Sequence, residues 1–222
     1  MIDHHSDSGA FAVSPAMIYL EHYPFLSKLW YGEGFPYDTA SPDFWLVEMS
    51  GLVFGLTAEM LRYESSTPYH FKGMLFGESN RWQSGLDAET VASDPFVPVA
   101  LWNLWKERDI ASSTMYGWWL GDVDASAVPV TSSNPSLVKV TSYSLPTSAI
   151  LAIASFATEA LVVTLTVNNS ILGLPGYNTT NYCLMAPSLP PFQTTKQQFA
   201  MDAPLAVPSG QGWILLLQEC AW

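Results

Sequence analysis

The sequence predicts two unlike units in series: an α/β segment, then an all-β segment that reads as an antiparallel β-sandwich. Three observations carry this. Capping side chains stand directly before proline at three places in the first half. Short apolar runs lie between those places. From about Met115 the texture changes to short β-rich runs separated by turn residues, which sets the division at 1–114 and 115–222.

The helix starts come first in the chain. Ser14-Pro15, Ser41-Pro42 and Asp94-Pro95 each pair an N-cap with a proline at the first helical position. The cap oxygen accepts an orphan N–H, and proline has none to lose. The second helix is expected from Pro42 to about Met49, with Gly51 and Gly55 marking its end. The third should bury Val97, Leu101, Leu104 and Trp105 on one face. Two runs between the helices read as strands, Lys28–Gly32 and Phe71–Gly77. Ile2 and Asp3 could end one more. The alternation is that of a parallel sheet.

The all-β part is expected to use Leu137–Tyr143, Ala149–Phe156, Leu161–Val167, Tyr182–Met185 and Trp213–Leu217 as strands. Asn134-Pro135, Asn168-Asn169, Pro175-Gly176 and Ser209-Gly210 separate them.

Length poses a constraint. A closed (β/α)₈ barrel takes about 250 residues, whereas the α/β part ends near Trp119. Three or so βα units fit there. Either the rest of a barrel lies on another stretch of polypeptide, or this is a small open sheet.

Composition excludes some functions. The 222 residues carry a net charge of −12, too few bases to neutralise phosphates, so nucleic acid is not an expected partner. Residues 1–119 hold 15 of the 20 carboxylates and 7 of the 9 tryptophans, which suits neutral polyhydroxylated ligands better than anions. No apolar run approaches the roughly 20 residues of a membrane span. No basic and apolar leader follows Met1. Cys183 and Cys220 could pair or remain thiols, and Asn168-Asn169-Ser170 and Asn178-Thr179-Thr180 are glycosylation sequons. These features are compatible with a secreted glycoprotein but fix no compartment.

Carboxylates cluster where strands are expected to end, the working edge of a parallel βα fold. Asp3 follows Met1-Ile2, Glu33 follows Lys28–Gly32, and Glu78 follows Phe71–Gly77. Cleaving a glycosidic bond takes two carboxyl groups, one an acid and the other a base or nucleophile. Glu33 is the first candidate for the acid/base and Asp3 its partner. His5, Trp30, Tyr31, Tyr37 and Asp38 lie near them in sequence, Arg81 lies just after Glu78, and these six are the candidates for substrate contact. His4 and His5 alternate in direction along a strand, so they do not make a metal site together. No cofactor is expected, since Walker and Gly-x-Gly-x-x-Gly patterns are absent, and without a Gly-x-Ser-x-Gly elbow Ser-His-Asp catalysis is not expected either.

Residues Tyr19–Phe25 and Leu29–Phe35, then Pro42–Gly51, Gly73–Gly77, Asp94–Trp105 and Met115–Trp119, resemble the glycoside hydrolase 123-like proteins. Ile150–Phe156 and Gly212–Leu215 are similar as well. The resemblance implies a partial (β/α)₈ (TIM-type) barrel, its last βα units, followed by a C-terminal β-sandwich. It implies a carbohydrate substrate and a missing N-terminal segment or another polypeptide that completes the barrel. Relatives use an adjacent Asp-Glu pair aided by the substrate's acetamido group. No Asp-Glu dipeptide occurs here, so that pair does not carry over, and Glu78 stands where a neutral residue is expected. A non-catalytic carbohydrate-binding or structural subunit is the alternative.

Overall fold

In a computed structural model, residues 2–3, 23–26, 28–31, 39–60, 69–78, 98–190 and 192–220 are described. The chain divides into two compact units, Met1–Pro98 and Val99–Trp222.

The first unit contains a parallel sheet of three strands in the order β1-β2-β3: Ile2–Asp3, Lys28–Tyr31 and Thr57–Met60. Ser41 caps the intervening helix α1 as expected. Its hydroxyl accepts from the Phe44 N–H at 3.1 Å, an interaction typically worth about 1 kcal/mol. Helix α1 (Pro42–Phe44) continues as a wider π-turn over Trp45–Met49, in which the Ser50 N–H reaches back five residues to the Trp45 carbonyl. Gly51 and Gly55 both adopt left-handed φ, 69° and 74°, bracketing the turn that leads into β3. This backbone favours glycine.

The run Phe71–Gly77 is not a strand. Tyr69–Met74 is a helix, α2, followed by a turn. Residues Phe71 to Phe76 are buried throughout, and a segment buried all round has the same apolar texture whether helical or extended. The strand after α1 is instead β3. The helix expected from Ser14-Pro15 lies outside the described residues, as do Asp94 and Pro95. The third helix is described as α3, Val99–Glu107, with Leu101 and Leu104 buried, and it falls in the second unit.

The second unit is dominated by a six-stranded antiparallel sheet. Its strands in chain order are β4 (Thr114–Tyr116), β6 (Val138–Ser144), β7 (Ala149–Ser155), β10 (Tyr182–Ala186), β11 (Gln197–Phe199) and β13 (Gly212–Glu219). They lie side by side as β11-β10-β13-β7-β6-β4. Two two-stranded ribbons accompany this sheet. One pairs β5 (Val130–Ser132) with β9 (Leu165–Val167), and the other pairs β8 (Leu161–Val163) with β12 (Leu205–Val207). The run Leu161–Val167, expected as one strand, is therefore two, divided at Thr164.

Alternate residues of the sheet, among them Val140, Leu151, Ile153, Leu184 and Leu215, form one core with Val130, Val163, Leu165, Leu205 and Val207 of the ribbons. The period of two places them on one face. Where β13 begins, Gly212 opposes Ala154, and a Cβ there would collide with the Ile153 carbonyl. Cys183 and Cys220 are free thiols near the end of this sheet. Burial, with hydrogen bonding to Cys220, pushes the Cys183 thiol up to about 12.

Ile214 has a strand neighbour on one side only: it pairs with Ala152 of β7, whereas β10 pairs from Leu216 onward. The buried amide of Gln193 takes the missing place. Its Oε1 accepts from the Ile214 N–H at 2.9 Å, and its Nε2 donates to the carbonyls of Ile214 (2.9 Å) and Pro187 (2.8 Å). Gln193→Leu should orphan these backbone groups and cost about 2 kcal/mol or more. Chemical denaturation should show a lower midpoint at unchanged slope; an unchanged midpoint would refute the role.

His70 in α2 is 1 % exposed, and burial lowers its pKa from 6.5 to about 4. The folded state therefore binds fewer protons than the unfolded chain between these values. The resulting stability is complete above pH 6.5 and is lost as pH falls towards 4, an effect of about 3 kcal/mol. His70→Phe should flatten the decline in urea midpoint between neutral pH and the folded-state value; the same decline in both proteins would assign it elsewhere.

Candidate functional site

The parallel sheet fixes the first geometry of a site. Its register sets Ile2 beside Leu29 and Asp3 beside Trp30. Across the next pair, Trp30 lies beside Glu59 and Tyr31 beside Met60. Asp3, Trp30 and Glu59 thus occupy one row across three strands. Asp3 ends β1, and Glu59 lies one residue before the end of β3. Parallel strands all finish at the same edge, so the row lies at the sheet's C-terminal edge, where βα folds bind and transform ligands. Adjacent strands are about 4.8 Å apart, so the backbones of Asp3 and Glu59 stand roughly 10 Å apart across the row.

Of the residues singled out from sequence, the structure brings Asp3 and Trp30 together in this row, with Tyr31 the next residue along β2. Glu33, His5, Tyr37, Asp38 and Arg81 lie outside the described residues. Glu59 was missed by the sequence reading. Thr57–Met60 contains a single β-branched residue and follows a glycine-rich turn, so nothing in its composition marks a strand. The detectable signal is the polar–apolar alternation Thr57-Ala58-Glu59-Met60 after Gly55, which the structure matches with alternating burial.

Glu78 has a different environment from the one its sequence position suggested. It follows a helix and turn rather than a strand, and it is 1 % exposed. Its Oε2 accepts from Trp45 Nε1 at 3.2 Å, and its backbone N–H donates to the Gly73 carbonyl at 3.0 Å. Trp45 is fully buried and stacks on Phe76, with ring centroids 5.6 Å apart at 18°. Burial and the indole bond give Glu78 the character of a structural anchor that ties the π-turn to the segment after α2. His70 is neutral at pH 7 for the reason given above. Gly73 keeps this packing possible, because a Cβ there would meet the side chain of Met60 and the Glu78 carbonyl.

Among the described residues no group of three His, Cys, Asp or Glu side chains is placed to hold a metal ion. No helix among them is long and apolar enough to cross a membrane.

Comparison with known proteins gives two adjoining matches. Residues 1–83 match "Glycoside hydrolase 123, TIM-barrel domain" and residues 97–218 match "Glycoside hydrolase 123, C-terminal domain". No curated protein matches the chain. Among solved structures it is similar to the noncanonic maltogenic alpha-amylase AmyB from Thermotoga neapolitana, with 12 % identity and a TM-score of 0.40. That likeness covers 97 % of this chain and 39 % of the amylase. The parallel strands fall inside the first match and the antiparallel sheets inside the second, and the chain belongs to the glycoside hydrolase 123 family.

Proposed function

We propose that this chain acts on carbohydrate, and that Glu33 and Asp3 form the carboxylate pair that hydrolyses a glycosidic bond. The observation that carries the reading is the row Asp3–Trp30–Glu59 at the C-terminal edge of the parallel sheet, within the region matching the TIM-barrel domain. One carboxyl group protonates the leaving oxygen while the other attacks or activates water. Carboxyl groups in this chemistry stand about 5–9.5 Å apart. Trp30 and Tyr31, with His5, Tyr37, Asp38 and Arg81, supply ring faces and hydrogen bonds to a sugar. Glu59 joins the set as a third carboxylate, because it shares the row of Asp3.

In this reading the three strands are part of a (β/α)₈ barrel, and the two ribbons and six-stranded sheet form a β-sandwich that follows it in the chain. A closed barrel has eight strands. The remaining ones come from an additional N-terminal segment or from another polypeptide, which also covers the open sheet edge. Chain 1–222 alone then offers only part of a substrate-binding face.

A specific observation favours a second reading. The adjacent Asp-Glu pair that the family resemblance implies does not occur in this sequence. A chain that had lost it would keep the scaffold as a carbohydrate-binding or assembly subunit.

The test uses 4-nitrophenyl glycosides, first with the chain alone and then with the polypeptide that completes the barrel. Slow or absent turnover is expected from the chain alone, and brisk turnover there would refute the need for completion. In the completed barrel, Glu33→Gln should lower kcat/KM by about 10²–10⁴ with the melting temperature retained. Asp3→Asn should do the same. Undiminished turnover in either variant removes that residue from the mechanism. Glycan binding without hydrolysis in both states favours the second reading.

A further inference from the structure

The antiparallel pairing of β10 and β13 brings the protein's two cysteines together. Tyr182 stands opposite Glu219, and Cys183 opposite Gln218. Just past the last residue of β13, the Cys220 N–H donates to the Asn181 carbonyl at 2.8 Å, which extends the same register. Cys183 and Cys220 are therefore diagonal neighbours. Side chains two apart along a strand share a face, so Gln218 and Cys220 point the same way, and Cys183 points with them. This face is turned away from the core that Tyr182, Leu184, Leu215 and Leu217 share. The two thiols are close enough to hydrogen bond.

The two cysteines are not equivalent. Cys183 is 3 % exposed, whereas Cys220 is only half-buried. The thiolate is the nucleophile in disulfide exchange. Burial keeps Cys183 protonated and out of reach of a dissolved disulfide, while Cys220 is open to one. The order of events follows: Cys220 reacts first and Cys183 resolves. Both lie in the second unit, and the carbohydrate chemistry proposed above uses neither.

Distance sets one condition. Diagonal neighbours stand about 7–8 Å apart at Cα, and a disulfide spans about 4.4–6.8 Å. Closing a bridge asks for a movement of about 1 Å. Cys220 is placed to make it, because it lies past the last residue of β13.

We propose that Cys183 and Cys220 are a redox-sensitive pair that closes into a disulfide by exchange with a small-molecule disulfide of the glutathione class. Cys220 loses its proton to solvent, and its thiolate attacks one sulfur of that disulfide. A mixed disulfide forms and one small thiolate leaves. Cys183 then gives its proton to solvent, attacks the Cys220 sulfur and expels the second small thiolate. Each expelled thiolate takes up a proton. Two protein thiols are oxidised to one S–S bond, and one small disulfide is reduced to two thiols. The bond ties the end of β13 to β10 and closes residues 183–220 into one loop, which carries β11, β12 and Gln193. Excess small thiol opens it again.

The test treats the folded 222-residue chain with oxidised glutathione and digests it with trypsin without reduction. Cleavage after Lys139 and Lys196 separates the two cysteines. Peptides 140–196 and 197–222 should appear joined, lighter by two hydrogens than their sum, with no link between chains on a non-reducing gel. In glutathione buffers of graded ratio, the equilibrium constant for the bridge should be at least about tenfold larger in the folded chain than in urea, because the fold holds the thiols together. Cys183→Ala should halt the sequence at Cys220 carrying one glutathione, and Cys220→Ala should leave Cys183 unmodified. Should a variant fail to fold, the native chain decides alone. The proposal is overturned if the native chain keeps both thiols, or ends as a glutathione adduct or a dimer linked between chains. A bridge that forms as readily in urea, or a Cys183 that glutathione modifies in the folded Cys220→Ala protein, overturns it too.

Discussion

The parallel register of β1, β2 and β3 is the constraint on which the functional reading of the first unit depends. A parallel ladder fixes which residues stand side by side, and a slip of one residue would move every side chain to the opposite face. As it stands, the register brings together Asp3, Trp30 and Glu59, which are separated by 26 and 28 further residues in the chain. An aspartate, a tryptophan and a glutamate in register near the finishing edge of a parallel sheet are what the proposed sugar chemistry rests on. Membership of a glycoside hydrolase family gives them their context.

The two units solve the problem of burial differently. In the first, polar groups are taken inside and anchored: the Trp45 indole donates to Glu78, and His70 stays neutral. Such anchors specify one packing arrangement at the cost of desolvation. In the second, the central residues of β7 and β13 are almost wholly apolar, and the sheet's register is completed by backbone pairing with both neighbours. Where a strand neighbour gives out, the Gln193 amide reproduces its donor and acceptor. Lys139, whose side chain is largely covered, keeps its ammonium over the Trp118 ring and beside the exposed Asp122 carboxylate.

What was legible in the sequence follows the strength of local signals. Ser41-Pro42 announced α1 because capping chemistry is local. The runs that became β6, β7, β10 and β13 were plain, being bounded by turn residues and rich in β-branched or aliphatic side chains. Phe71–Gly77 was misread because burial on every side erases periodicity. Thr57–Met60 was missed because its strand state comes from pairing with β2 rather than from propensity, and Glu59 was missed with it. Asp3 and Trp30 were identifiable one at a time, but their adjacency is a tertiary fact that spacing does not encode. The Lys139 contacts were equally invisible, since Asp122 and Trp118 reach it from a different part of the chain.

The most direct measurement concerns that register. Nitroxide labels at Asp3→Cys and Glu59→Cys, in a chain whose Cys183 and Cys220 are replaced by alanine, should show strong dipolar broadening in the continuous-wave spectrum, as backbones roughly 10 Å apart require. Spectra that equal the sum of the two singly labelled proteins would mean that Asp3 and Glu59 do not share a row, and the hydrolytic site proposed on it would fall.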